Sequence, residues 1–430
     1  MAYICGMWPR SEFSRNVLKV MTGTTIAQFL PLAVAPILTR IYSPTDFGVY
    51  YLFGAFVAIL TPLITGRYEL AILIPKEDQK AIQVMGVSVS LATISAFIIG
   101  LLLAIGAPQV ADFIGEPAVQ PWLYLLPLAI LIQSWHNNFN FWHNRKKRFN
   151  QLTWAKLLIS GTNAGGRVAL GLLLGGIGGL VFGTMLAWLA GALFVGYHFF
   201  SKDKAMWRSW NRAAIREQAI RFAHFPRQML WGTLFNKGAF ELPPILLNAL
   251  FLPAVAGFFG QMSAVIRRPL QVIGRAFEEV FKQRASEELQ KVGHCRGIFF
   301  KTILRLALIG FLPFTTLYLF APPLFEFVFS EEWREAGQYA RYFAIPFFLQ
   351  FIVVPISSIF YLMEFTRLYT VLEFVQLILI IAAILYGAWV WNDPDLAVRW
   401  MAWGYGFSFF LRFVALYWMV HQPIDQTRFE

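Results

Sequence analysis

Apolar runs of about 20 residues recur along the whole chain, separated by short segments where proline, glycine and basic residues gather. A helix rises about 1.5 Å per residue, so each run can cross the roughly 30 Å of a bilayer's hydrocarbon. Lipid cannot satisfy backbone polar groups and helices satisfy their own, so helices are the expected element. The pattern predicts twelve spans, at 18–39, 47–66, 82–106, 121–142, 153–174, 178–199, 227–249, 254–273, 299–320, 338–362, 368–390 and 397–420. The longest polar connection, 201–225, divides them six and six. It implies a first lobe at 1–200 and a second at 226–430.

The two sets of six repeat one another. Pro36-Ile37-Leu38, then Pro44, then Gly48-Val49-Tyr50 in the first set matches Pro244-Ile245-Leu246, then Pro253, then Gly257-Phe258-Phe259 in the second. Span three closes on Ala107-Pro108 and span nine on Ala321-Pro322, in the same order. Such matches imply duplication of a six-helix unit. An even number of spans makes both copies enter the membrane in the same sense, so a pseudo-twofold along the membrane normal is expected. The expected fold is an all-α membrane protein of about twelve transmembrane helices in two six-helix lobes, an architecture suited to alternating access.

Composition agrees with a bilayer as the solvent. Only 14% of residues are charged, against roughly 25% in a soluble domain. The formal charge of +12 raises nucleic acid as a partner, but position excludes it. Basic residues concentrate in alternate loops: Arg145, Lys146, Lys147 and Arg148 after span four; Lys202, Lys204, Arg208, Arg212, Arg216 and Arg221 after span six; Arg275, Lys282, Arg284, Lys291 and Arg296 after span eight. The other loops hold Arg40, Arg334, Arg341 and Arg399 beside nine acids, among them Asp46, Glu326, Glu332 and Asp395. That bias predicts both termini in the cytoplasm. Two cysteines, Cys5 and Cys295, make no disulfide framework. The basic stretch 275–297 alternates apolar and charged residues. It fits either a helix lying on the membrane surface or a solvated continuation of span eight.

Ionisable groups at membrane depth mark a pathway by default. Arg167 lies in span five, Lys237 and Glu241 in span seven, and Glu373 in span eleven; Arg40, Arg67, Glu69, Arg267, Arg268, Glu364 and Arg412 lie nearer span ends, where long side chains can snorkel. Three stripes share one helical spacing: Lys156, Ser160, Asn163 and Arg167; Lys237, Glu241, Pro244 and Asn248; Gln133, Asn137, Asn140 and Asn144. A polar stripe faces protein or water, as a hydrated basic cavity or as interhelical hydrogen bonds of about 1 kcal/mol each. Lys237 and Glu241, four residues apart, fit a static salt bridge or a switch. Pro31 and Pro36 interrupt span one, and Pro243 and Pro244 the equivalent span seven, which makes Pro36 and Pro244 candidate gating positions with Glu241 and Glu373. The spaced glycines of spans five and six read as packing, and His136 and His143 as interfacial residues. No phosphate loop or zinc-ligand spacing of Cys and His occurs, and Asp393-Pro394-Asp395, which matches the D-x-D of metal-dependent glycosyl transfer, falls in a short outer turn with no acceptor pocket, so the chain reads as no enzyme; transport must draw on an ion gradient, the membrane potential or the substrate's own gradient.

Three motifs resemble those of bacterial polysaccharide flippases. They are Thr39-Arg40-Ile41-Tyr42-Ser43-Pro44-Thr45-Asp46-Phe47-Gly48, Arg67-Tyr68-Glu69-Leu70-Ala71-Ile72, and Phe329-Ser330-Glu331-Glu332-Trp333-Arg334-Glu335-Ala336-Gly337, with Ser330 in place of the usual glycine. Over essentially its full length the chain is similar to the O-antigen and exopolysaccharide flippase branch of the multidrug/oligosaccharidyl-lipid/polysaccharide exporter superfamily. The resemblance implies a multi-pass inner-membrane protein that moves an undecaprenyl-diphosphate-linked glycan from the cytoplasmic to the periplasmic leaflet. Membrane lipids, Na+ or H+, and polymerase and chain-length proteins are then its candidate partners. It also implies a cationic cavity: Arg40 matches a first-helix arginine approximately, and Arg67 and Arg268 fit by depth, joining Arg167 and Lys237 from the stripes. The alternatives are an ion-coupled multidrug exporter of the same superfamily and a non-transporting scaffold of a polysaccharide assembly complex. Drug exporters of that type rely on embedded acids in the first lobe, where this chain has none deeper than Glu69.

Overall fold

The computed structural model describes residues 12–207 and 210–422, with side chains from Ala27 onward; Cys5, Arg208 and the two chain ends lie outside the described residues. Among the described residues nearly all are helical and none forms a strand. Twelve helices of 20 residues or more follow one another: α1 Glu12–Ile41, α2 Pro44–Thr65, α3 Asp78–Ile114, α4 Leu126–Arg145, α5 Phe149–Leu174, α6 Gly176–Trp207, α7 Leu230–Leu250, α8 Pro253–Val292, α9 Arg296–Phe329, α10 Arg334–Ile356, α11 Thr366–Tyr386 and α12 Pro394–His421. Each coincides with one predicted span. By length and composition seven are apolar enough to cross a membrane, and an eighth if Pro117–Leu123 and α4, bent by 51°, form one span. In α7 and α8 the apolar run is interrupted by Lys237, Glu241, Arg267 and Arg268.

The chain forms two compact units. Of the described residues, one holds those up to Tyr42 with Phe53–Leu234; the other holds Ser43–Leu52 with those from Phe235 onward. Helix pairing recurs with a six-helix offset. In the first unit α3 packs on α4, α4 on α6 and α5 on α6; in the second α9 packs on α10, α10 on α12 and α11 on α12.

The repeated proline–glycine turns have a physical reason. Ser43 and Asp46 cap the start of α2 reciprocally: the Asp46 carboxylate accepts from the Ser43 backbone N–H at 3.0 Å, and the Ser43 hydroxyl accepts from the Asp46 N–H at 3.2 Å. Pro44 begins the helix, where no N–H is needed. A Cβ on Gly48 would lie 1.8 Å from the Pro253 carbonyl oxygen, and one on Gly257 2.0 Å from that of Pro44. The two turns therefore close on each other, and only glycine permits it.

Packing of α5 on α6 uses part of the glycine run. A Cβ on Gly183 would meet the Arg167 backbone nitrogen at 2.7 Å, and one on Gly179 the Gly171 backbone at 2.6 Å, whereas Gly161, Gly165 and Gly175 face open space. The 275–297 stretch continues span eight: α8 runs unbroken for 40 residues, about 60 Å, to a left-handed Gly293. Nothing between Arg275 and Lys291 breaks a helix, and Phe281, Ala285 and Leu289 form a buried seam four residues apart. His136 and His143 are not interfacial as expected. Both are buried; His143 donates to the Val195 carbonyl of α6 at 2.9 Å, so α6 rather than water takes the polar edge.

The basic loop residues after α4 also hold local ion pairs. Arg145 Nε lies 2.9 Å from Asp78 Oδ1, and Lys146 pairs with the other oxygen. Asp203 is bound by Arg148 through both guanidinium ends and by the Trp142 indole at 3.0 Å. The Lys146 hydrogen bond holds the Asp78 carboxyl below its usual range against partial burial, with Arg145 adding to it.

Candidate functional site

A proline removes the hydrogen bond that its N–H would give to the carbonyl four residues back. Three helices here have that loss made good from a neighbour. Pro31 frees the Ala27 carbonyl of α1, and the Ser160 hydroxyl of α5 donates to it at 2.5 Å. Pro243 frees the Ala239 carbonyl of α7, and the Tyr405 hydroxyl of α12 donates to it at 2.5 Å. In α9, Pro322 and Pro323 free two successive carbonyls, and Arg341 of α10 gives Nε to Tyr318 and Nη2 to Leu319, both at 3.1 Å. Thus α1 and α7 stay helical through Pro36 and Pro244, and the breaks at Pro31 and Pro243 each hang on one hydroxyl.

In the first unit the α5 stripe makes interhelical bonds. Besides Ser160, Asn163 reaches the Thr184 hydroxyl of α6 at 3.5 Å and Arg167 Nε donates to it at 2.9 Å. Arg167 is buried, and its backbone carbonyl accepts from the Tyr42 hydroxyl at 2.6 Å, which ties the end of α1 to α5. Arg40 is exposed at that end and turns its Nη1 back to the Pro36 carbonyl at 2.5 Å. Arg67 lies beyond the far end of α2, with φ 63°, its Nη1 3.0 Å from the buried Glu69 carboxylate. Arg40 and Arg67 therefore sit at opposite ends of the 22-residue α2 and share no cluster.

In the second unit the charges converge. Glu373 of α11 and Arg412 of α12 are 1% and 5% exposed at their side chains, with Nη1 3.0 Å from Oε1. That contact lies off the hydrogen-bond direction, so the attraction there is charge on charge. Oε2 accepts from Asn236 Nδ2 of α7 at 2.9 Å, and Arg412 Nη2 donates to Gln376 at 2.5 Å. Three helices thus meet at one buried ion pair. One turn along α7, Glu241 feels first the charge of Arg267 and then that of Lys237. The Arg267 guanidinium lies 3.8 Å above the Phe240 ring, which itself packs on Tyr405. Arg268 is half-buried on α8, near enough for its charge to act on Tyr51, whose hydroxyl donates to Gln261 at 2.9 Å.

Sequence reasoning set Arg412 and Arg267 aside as end residues and missed Tyr405, Asn236 and Gln376. A signal existed. Tyr405 and Arg412 are seven apart on α12, and Glu373 and Gln376 three apart on α11, each pair on one helical face.

A family model described as polysaccharide biosynthesis protein matches residues 37–338. The chain belongs to that family. The matched stretch of this polysaccharide biosynthesis family member contains Arg40, Arg67, Arg167, Lys237, Glu241 and Arg268, and stops short of Glu373 and Arg412. Among solved structures it is similar to the inward-facing conformation of a multidrug resistance MATE family transporter of the MOP superfamily. The TM-score is 0.71 at 16% identity, over 93% of this chain and 97% of that one. It is also similar to a MATE protein in complex with MaD3S, with TM-score 0.62 at 15% identity over 94% and 95% of the two chains. No curated protein matches the sequence. Family and fold agree: the chain is a multi-pass helical membrane protein of the polysaccharide biosynthesis family with the fold of these MATE transporters.

Proposed function

We propose that this transporter moves an undecaprenyl-diphosphate-linked oligosaccharide from the cytoplasmic to the periplasmic leaflet of a bacterial inner membrane, by alternating access with both termini cytoplasmic, for assembly of a surface polysaccharide. The observation that carries the reading is the sign of the charge at membrane depth. Among the described residues Arg167, Lys237, Arg267, Arg268 and Arg412 stand against Glu241 and Glu373. Glu373 is taken by Arg412, and each unit's interior, taken by itself, keeps more cations than acids at that depth. An anionic diphosphate is the partner such an interior selects, through charge-assisted hydrogen bonds. Two negative charges leaving an inside-negative cell gain roughly 4–5 kcal/mol per 100 mV, so the membrane potential contributes drive beside any Na+ or H+. Arg167 in the first unit and Lys237 in the second are each proposed to meet the diphosphate during transport, and α1 and α7 are the proposed moving elements. Polymerase and chain-length proteins are the proposed receivers of the product.

The test is removal of the protein from its own cell. Lipid-linked glycan should accumulate on the cytoplasmic leaflet and one surface polysaccharide should disappear, while efflux of cationic dyes is unchanged. Unaltered surface glycans with reduced dye efflux would establish the multidrug alternative instead.

A further inference from the structure

On the second unit, α9, α10 and α12 enclose a groove of about 610 Å³, within the roughly 300–1,000 Å³ usual for small-ligand sites. Its floor is narrow because Pro346 and Ala402 are buried and Gly406 brings α12 close; a Cβ there would lie 3.7 Å from the Pro346 ring. Its walls are aromatic and exposed, with Trp403 at 72% and Phe407 at 52%. A second cavity of about 250 Å³ between α9 and α10 shares Tyr318 and Ile345 with it and extends the trough.

The groove is apolar along its length and cationic at one end. Arg341 and Arg399 line it near the starts of α10 and α12, where a membrane helix meets water. The acids around them are accounted for unequally. Asp395 pairs with Arg399 at 3.2 Å and accepts from the Tyr342 hydroxyl at 2.8 Å. Glu335 and Asp393 lie on the same helix starts. Among the described residues no carboxylate lies within ion-pair distance of Arg341, and its Nη1 takes no part in the bonds to Tyr318 and Leu319. Arg399 stands 4.7 Å over the Tyr342 ring, fixed in place toward the same end.

We propose that this groove holds one hydrocarbon chain of an anionic phospholipid of the surrounding bilayer, with its phosphate on Arg341 and Arg399. The site is separate from the transport reading and does not rest on it. An apolar trough ending in two guanidinium groups at headgroup depth matches a lipid in both chemistry and order. The phosphate supplies the anion that Arg341 lacks, and the chain covers the exposed aromatic walls.

The test uses the full chain in phosphatidylcholine vesicles, with brominated phosphatidylglycerol or brominated phosphatidylcholine added at equal mole fraction. The readout is quenching of Trp403, taken as the difference between the wild type and Trp403→Phe. Phosphatidylglycerol should quench several-fold more than phosphatidylcholine. Arg399→Gln and Gly406→Leu should each bring the ratio to one, and the second variant touches neither arginine. Equal quenching by the two lipids in the wild type, or a preference that persists in folded Gly406→Leu, overturns the proposal. Loss of the preference on adding equimolar polyprenyl phosphate overturns it as well, since the occupant is then that carrier and not a bilayer lipid.

Discussion

Replacing Glu373 by Gln leaves the Arg412 guanidinium inside the second unit without its counter-charge. Both side chains are at most 5% exposed, so water does not screen the loss. Breaking a buried pair by removing one partner costs about 3–5 kcal/mol, because the remaining charge is uncompensated. That is a large share of a stability of roughly 5–15 kcal/mol. Arg412→Met strands Glu373 in the same way and also takes the donor from Gln376. The double variant Glu373→Gln/Arg412→Met removes both charges. The glutamine amide introduced on α11 still offers an oxygen to Asn236, and what remains unsatisfied is neutral, its own Nε2 and the Gln376 oxygen that Arg412 served, with no bare charge left in the interior. The double variant should therefore be more stable than either single variant. Thermal unfolding of the purified protein in one detergent, with size-exclusion profiles to confirm folding, gives the order directly. Costs that simply add, or single variants indistinguishable from wild type, would refute a coupled buried pair.

The remaining predictions follow from other contacts. Tyr405→Phe strands the Ala239 carbonyl freed by Pro243 and should cost about 1–3 kcal/mol in thermal unfolding, while the ring that is kept still packs on Phe240. Gly183→Ala puts a methyl 2.7 Å from the Arg167 backbone and should destabilise by about 1–3 kcal/mol, read from the same unfolding curves; an unchanged midpoint would contradict the close α5–α6 contact. Asp78 has its folded pKa below its unfolded value near 3.9, so its pair with Lys146 and Arg145 stabilises above that pH and is lost as pH falls through the folded pKa. The melting point of Asp78→Asn should accordingly lie below wild type at pH 7 and converge with it in acid. On the proposed function, Arg167→Lys should keep part of the glycan export and Arg167→Gln lose most of it at equal membrane level; full export by the Gln variant would refute Arg167 as a diphosphate contact.

The number and order of helices, their duplication and the membrane as solvent were legible in the sequence, because each is a one-dimensional property. A run of 20 apolar residues must span, and a turn such as Ser43-Pro44-Thr45-Asp46 carries its own cap. Helical spacing also picked out the polar faces of α5 and α7 with Arg167, Lys237 and Glu241, and position within a span picked out Glu373. Periodicity names a face, however, and not the helix that it meets. Ser160 lies 133 residues from the carbonyl it caps, and Tyr405 lies 166 from its own. Tertiary packing alone made the α5 stripe a set of bonds to α1 and α6. It drew Arg412, nine residues from its helix end, inward onto Glu373, and it gave His143 a carbonyl instead of water. The reason is the cost of an unpaired polar group in a low-dielectric interior, which binds each such group to whatever partner the fold brings near, at whatever distance along the chain.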